Sequence, residues 1–134
     1  MESRSEQMIA FEAAKARQLN PNEYSLNALK ALAKSDPVLH LAILAANGWR
    51  PTSLTHALSD AQHVSTEWSE VVYHVIGPFL THEKPFVREG AMCGLENHLG
   101  YKPALDHLKD RLTQESLPML VEMLQEIIED FEEE

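Results

Sequence analysis

Seven histidines, one cysteine and a run of carboxylates are the side chains in this sequence that could carry chemistry. Imidazole and carboxylate together make metal sites, and His98 could approach Glu96 or His107. Two or three ligands from helix ends do not close a metal shell, so neither a metal nor any other cofactor is expected. Cys93 with a histidine would be the minimum for a thiol nucleophile. It lies instead in the middle of a helical pattern among small residues, the setting of a buried, inert thiol. A single cysteine also excludes an internal disulfide and any multi-cysteine metal site. No glycine-rich phosphate loop, nucleophile elbow or zincin helix occurs, and catalysis is not expected.

Charge is the stronger signal. The net charge of −10 is unevenly placed: residues 1–67 hold seven acids and six bases, and residues 68–134 hold fourteen and five. No Lys or Arg follows Arg111, while Glu115, Glu122, Glu126, Glu129, Asp130, Glu132, Glu133 and Glu134 contribute −8. Such a segment repels phosphate; it suits a basic partner or serves solubility. Arg88, Lys102, Lys109 and Arg111 form at most a small cluster beside it, which disfavours direct binding of nucleic acid. The stretch MESRSEQMIAFEAAKARQ does not read as a secretory signal. The run LAILAA, residues 41–46, is too short to cross a bilayer. A cytoplasmic protein without a membrane partner is the expectation.

The elements that must position these groups read as helices throughout, because apolar residues recur at three and four positions and strand-like alternation is absent. The spacing predicts helices over about Ser5–Leu19, Glu23–Lys34 and Pro37–Ala46, the last opened by an Asp36 cap and Pro37 and closed by Asn47-Gly48. Trp49, just past that stop, is expected to fold back onto the last turn. A short helix over about Pro51–Gln62 comes next. The following helix is capped at Ser65 or Thr66 and striped by Trp68, Val71, Val72, Val75, Ile76 and Phe79, with a kink at Gly77-Pro78. Helices over 85–100, Lys102–Leu112 and Ser116–Phe131 complete the chain.

Superimposing Pro37 on Pro85 matches Ala42-Ile43 with Gly90-Ala91 and Ala45-Ala46 with Cys93-Gly94; Pro118 matches Pro85 more loosely. Three helical hairpins follow, about 22–48, 65–99 and 101–132, with an N-terminal helix and a short inter-hairpin helix besides. A recurring two-helix unit that cannot bury its own apolar face marks an α-solenoid. On HEKPFVREGAMCGLENHLG, the preceding WSEVVYHVIGPFL, and SDPVLHLAILAANG, the chain resembles the HEAT-repeat family. Pro85, Val87, Arg88 and Ala91 occupy the positions of that family's second-helix motif, and Asp36 that of its turn aspartate. His40 and Val121 stand where the family carries arginine, so the resemblance does not extend to an unbroken Asp–Arg ladder. Glycine inside a helix costs about 1 kcal/mol relative to alanine. At Gly90 and Gly94 the loss is expected to be recovered as close packing between layers.

The resemblance also brings chemistries to weigh. Deoxyhypusine hydroxylase, in the HEAT-like group, holds two irons with several His-Glu pairs; here His82-Glu83 is the single such pair and falls in a turn. HEAT-like DNA glycosylases need a basic groove around an exposed tryptophan, which the charge balance disfavours. The last helix sets Leu120, Leu124, Ile127, Ile128 and Phe131 against an opposite face of Glu122, Glu126, Glu129, Asp130 and Glu133. Like charges four apart destabilise a helix by roughly 0.2–0.5 kcal/mol per pair, and carboxylates in a final turn oppose the macrodipole. In the repeat alignment Glu89 falls on Glu122 and Glu96 on Glu129. Since the family's second helices line a concave partner-binding face, the resemblance implies an acidic ladder there. The expectation is therefore an all-α protein-interaction module, an adaptor or small neutralising partner, that presents Glu89, Glu96, Glu122, Glu126 and Glu129 to a basic protein surface. An acidic mimic of nucleic acid and a HEAT-like metal-dependent enzyme are the other readings.

Overall fold

The computed structural model describes residues 5–133, which leaves the expected contribution of Glu134 to the acidic run outside the described residues. Among these residues the regular structure is helical, with no strand. The helices are α1 (Glu6–Lys15), α2 (Leu26–Ser35), α3 (Pro37–Leu44), α4 (Pro51–Asp60), α5 (Ser69–Ile76), α6 (Pro85–Leu95), α7 (Lys102–Gln114) and α8 (Pro118–Glu132). Short 3₁₀ segments at Pro21–Glu23, Ala61–His63, Thr66–Trp68 and Gly77–Thr81 link or extend them.

Local chemistry accounts for the boundaries. Ser5, Ser25 and Asp36 accept hydrogen bonds from the amides of Met8, Ala28 and Leu39, three residues on, and so cap α1, α2 and α3. All seven prolines lie in the first or second position of a helical segment, where the missing N–H is not needed. Gly48 takes φ 94° after α3, and the Trp49 indole folds back to donate from Nε1 to the Ile43 carbonyl at 3.0 Å. The helix expected to start at a Ser65 or Thr66 cap instead begins with the 3₁₀ turn Thr66–Trp68, and Ser65 makes no side-chain capping bond. Its far end passes at Gly77-Pro78 into another 3₁₀ turn rather than a kinked α-helix.

The helices pack in two rows. The odd-numbered α1, α3 and α5 lie together, and α2, α4, α6 and α8 follow one another in contact. The most extensive contact between any two helices is that of α4 with α6. The superposition of Pro37 on Pro85 matches α3 with α6, two helices whose neighbours differ. The main contacts of α3 are with α1, α2, α4 and α5, and the neighbour of α6 is α4, the helix expected only as a short link between hairpins. Prolines 51, 85 and 118 open the three successive members of the even row.

Gly90 and Gly94 explain why α4 and α6 come so close. A Cβ added at Gly90 would stand 2.6 Å from the Thr55 carbonyl oxygen, and one at Gly94 would overlap the Leu58 carbonyl outright. Ala57 on α4, Ala61 just past its end and Ala91 on α6 are fully buried, within one continuous core that runs from Phe11 to Ile128. Close approach of backbones gains dispersion contacts that side chains would have held apart, and this offsets the lost helix propensity.

A second tie joins the last two helices to α6. The Glu115 side chain, 1% exposed, receives Arg88 through two contacts, Nε to Oε1 at 2.8 Å and Nη2 to Oε2 at 3.0 Å. Arg111 Nη2 reaches Oε1 at 3.3 Å, and the amides of Ser116 and Leu117 donate to Oε2 at 3.0 and 3.2 Å. Arg88 Nη1 also donates to the His82 carbonyl at 2.9 Å. Burial works to raise the Glu115 carboxyl, but the hydrogen bonds from Arg88, the Leu117 amide and Arg111, with the Arg88 charge, hold it below its usual value. Glu115 is thus no part of a solvated acidic tail.

Two outcomes follow for stability. Gly94→Ala is expected to lose about 1–3 kcal/mol in urea unfolding through forced separation of α4 and α6, while Gly100→Ala, where an added Cβ meets nothing within 4 Å, stays near wild type. Glu115→Ala leaves two partly buried guanidiniums unpaired and is expected to cost about 3–5 kcal/mol at pH 7. Because the folded Glu115 is more acidic than the unfolded one, its contribution is complete above the ordinary glutamate pKa and fades as pH falls below it. An equal variant-to-wild-type gap at pH 7 and pH 3 would contradict this assignment.

Candidate functional site

The start of α1, the 66–68 turn, the first turn of α5, the α6–α7 connection and the last turns of α8 enclose an open cleft of about 860 Å³. Four carboxylates stand on it, Glu67, Glu70, Glu96 and Asp130, each from a different element, and no Lys, Arg or His is among the described residues that line it. Tyr101 and Phe131 add aromatic walls, and Leu99 and Ile127 apolar floor.

Hydrogen bonds fix this frame. Ser5 Oγ, the cap of α1, donates to Glu70 Oε1 at 2.7 Å and so joins the chain's start to α5. The α6–α7 connection is tied to the end of α4 twice, by Asn97 Nδ2 donating to the Gln62 carbonyl at 2.9 Å and by His98 Nε2 donating to the Ala61 carbonyl at 2.9 Å. With Nε2 protonated, His98 Nδ1 is an acceptor, and Ser69 Oγ donates to it at 2.6 Å. This serine–imidazole pair is buried, and burial lowers the His98 pKa against a smaller opposing effect of the Ala61 bond. An imidazole made less basic is poorly suited to take a proton from Ser69.

Of the five glutamates predicted to face a partner, Glu96 alone lines the cleft. Glu122, Glu126 and Glu129 are exposed on α8 outside it, and Glu89 is half-buried on α6. Asp130, the neighbour of Glu129, is the α8 carboxylate that shares the cleft with Glu96. Glu67 and Glu70 escaped sequence reasoning because they lie far from the acidic run.

Cys93, His82 and His107 make structural contacts away from the cleft. Cys93, half-buried, is pushed up in pKa by burial and by the charges of Glu89 and Glu96, against a hydrogen bond with Ser59, which disfavours the nucleophilic thiolate. His82 Nδ1 accepts from the Lys84 amide at 3.0 Å, and Tyr73 OH and His107 Nδ1 are hydrogen-bonded at 2.9 Å. Among the described residues no group of three or more His, Cys, Asp and Glu is arranged to hold a metal ion. The expected small basic cluster does not stand free: Arg88 and Arg111 pair with Glu115, Lys102 with Asp106 at 3.2 Å, and Lys109 with Glu132 at 3.5 Å. No helix among the described residues is long and apolar enough to cross a membrane.

His40 is fully buried; its Nδ1 donates to the Leu29 carbonyl at 3.0 Å, and Nε2 has no hydrogen-bond partner among the described residues. Burial lowers its pKa to about 4, despite the opposing Leu29 bond. Comparisons with family models, characterised proteins and solved structures find no match to this chain.

The histidines carry a pH prediction. His40 takes up its proton more readily when unfolded than when folded, so its contribution is complete above about pH 6.5 and is lost as pH falls toward 4. The span corresponds to roughly 3 kcal/mol. His98 shifts in the same direction. The urea midpoint is expected to fall from pH 7 to pH 5, and less steeply in His40→Gln, whose amide can still donate to Leu29; identical slopes would assign the acid loss elsewhere.

Proposed function

We propose that this chain is a non-enzymatic module that binds a basic protein, with the acidic cleft as the anchor and the acidic outer face of α8 as the surface that draws the partner in. The observation that carries this reading is the convergence of Glu67, Glu70, Glu96 and Asp130 on one cleft lined by no Lys, Arg or His among the described residues. Carboxylates from four elements that line one cleft present their charge together to an arriving cation. The concavity adds to the effect, because low-dielectric walls focus the field of the charges that line them.

The two rows of helices support a HEAT-like short solenoid as the scaffold, with α4, α6 and α8 as successive members of one row. The scaffold suits binding because its rigid helix ends hold the carboxylates without a ligand. In this reading the exposed Glu122, Glu126 and Glu129 act at longer range, on the rate of encounter, and the cleft acts on the lifetime of the complex.

The test uses a fluorescent peptide of mixed Lys and Arg content. A variant with Glu67, Glu70 and Glu96 changed to Gln and Asp130 to Asn is expected to bind at least about tenfold more weakly, mainly through faster dissociation. The triple variant Glu122→Gln, Glu126→Gln, Glu129→Gln is expected to associate more slowly and to lose part of its salt dependence. Unchanged affinity in the cleft variant, with its helical spectrum intact, would remove the cleft from the binding surface. Competition between this protein and DNA for a DNA-binding enzyme, in proportion to the charge of α8 alone, would favour a nucleic-acid mimic instead.

A further inference from the structure

Three of the five exposed large apolar side chains among the described residues gather where α6 and α8 begin: Phe86 at 41%, Leu117 at 36% and Met119 at 64%. One guanidinium joins the two segments that carry them. Arg88 Nη1 donates to the His82 and Glu83 carbonyls at 2.9 and 3.3 Å. Its Nη2 donates to Glu115 Oε2 at 3.0 Å, the oxygen that also accepts from the Leu117 amide at 3.2 Å. Helical phase then turns the side chains the same way. Counted from Pro85 and Pro118, the third, seventh and eleventh residues are buried in both helices: Val87, Ala91 and Leu95, and Leu120, Leu124 and Ile128. Phe86 and Met119 are the second residue of each, so they leave the core in matching directions. Gly90 faces Thr55 and Gly94 faces Leu58, so α4 runs parallel to α6 and begins at this same end.

The charge around this patch is the reverse of the chain's. Ser5, Ser25 and Asp36 set acceptors before α1, α2 and α3, but Arg50, Lys84 and Leu117 precede α4, α6 and α8 and make no capping bond. A cation before a helix opposes its dipole, so these positions are unfavourable until an anion arrives. Arg50 and Lys84 are exposed and have no carboxylate at ion-pair distance among the described residues; Lys84 Nζ rests 5.9 Å from the centre of the Phe86 ring. Of the acids in the segments 48–52, 82–86 and 115–119, Glu115 is covered by Arg88 and Arg111, which leaves Glu83 against two cations. We propose that Phe86, Leu117 and Met119 form a docking surface for an acidic segment of a second protein, one that carries large apolar side chains between carboxylates. The apolar side chains cover Phe86 and Met119, and the carboxylates meet Lys84, Arg50 and the positive ends of the helices. The chain thereby takes partners of opposite charge at the two ends of α6 and α8.

The experiment titrates isotopically labelled protein with the peptide acetyl-Glu-Asp-Phe-Glu-Glu-Leu-Asp-amide, following backbone amides by NMR. One control peptide carries Ser for Phe and Leu, and another carries Gln and Asn for the acids. The parent peptide is expected to shift the amides of Phe86 and Met119 and to leave those of Glu96 and Asp130 in place, with either control at least about tenfold weaker. The double variant Phe86→Ser, Met119→Ser changes exposed side chains alone and is expected to keep the helical spectrum while binding the parent peptide at least about tenfold more weakly. Arg50→Gln with Lys84→Gln is expected to weaken binding about threefold and to flatten its salt dependence. No shift at Phe86 and Met119, or equal affinity in the Phe86 and Met119 variant, overturns the proposal. Binding to phosphatidylserine vesicles, or self-association in sedimentation, that replaces peptide binding and is lost in that variant overturns the acidic segment as the occupant.

Discussion

Two helical backbones in contact set the spacing of everything else in this protein. At Gly90 and Gly94 the surface of α6 is stripped to its main chain, and the carbonyls of Thr55 and Leu58 on α4 occupy the space. The even row of helices is built outward from that contact, with α2 on one side and α8 on the other. Because α4 sits this close, its end at Ala61 and Gln62 can be reached by His98 and Asn97 from the far end of α6. Those two bonds hold the α6–α7 connection, and with it Glu96 and Tyr101, at the cleft.

Glu115 does by charge at the other end of α6 what the glycines do by absence. Its carboxylate binds Arg88 from α6 and Arg111 from α7 while its Oε2 accepts from the amides of Ser116 and Leu117, just before α8. A buried pair of this kind owes its value to complete satisfaction rather than to attraction alone, since stripping water from the ions costs several kcal/mol. Even here one atom is left over: Arg111 Nε is buried without a partner among the described residues.

Helices and caps were legible in the sequence because they depend on neighbours in the chain. Asp36-Pro37, Asn47-Gly48 and Pro85 announce their turns locally, and Trp49 folds back onto α3 as its place after the glycine predicts. Row membership was not legible. Proline opens α3 and α4 alike, so it marks a helix start without saying which row the helix joins. Glu115 reads as one more acid in a charged run because sequence shows the charge and not the two arginines that cover it. The cleft was the least visible element. It gathers residues from Ser5 to Phe131, and exposed carboxylates have no periodic constraint that would reveal their assembly; only Glu96 was found in advance.

The manner in which α7 and α8 attach has a dynamic consequence. They pack chiefly on each other, and their main contacts with the remainder run through α6 and the Gly77–Thr81 turn, together with the Glu115 clip. This terminal pair is joined to the rest less extensively than α4 is to α6, which makes it the natural unit of local unfolding. Amide protons of α8 should then exchange with solvent ahead of those of α4 and α6. Of the five elements that enclose the cleft only α8 belongs to that pair, so its local unfolding would open the cleft on that side alone.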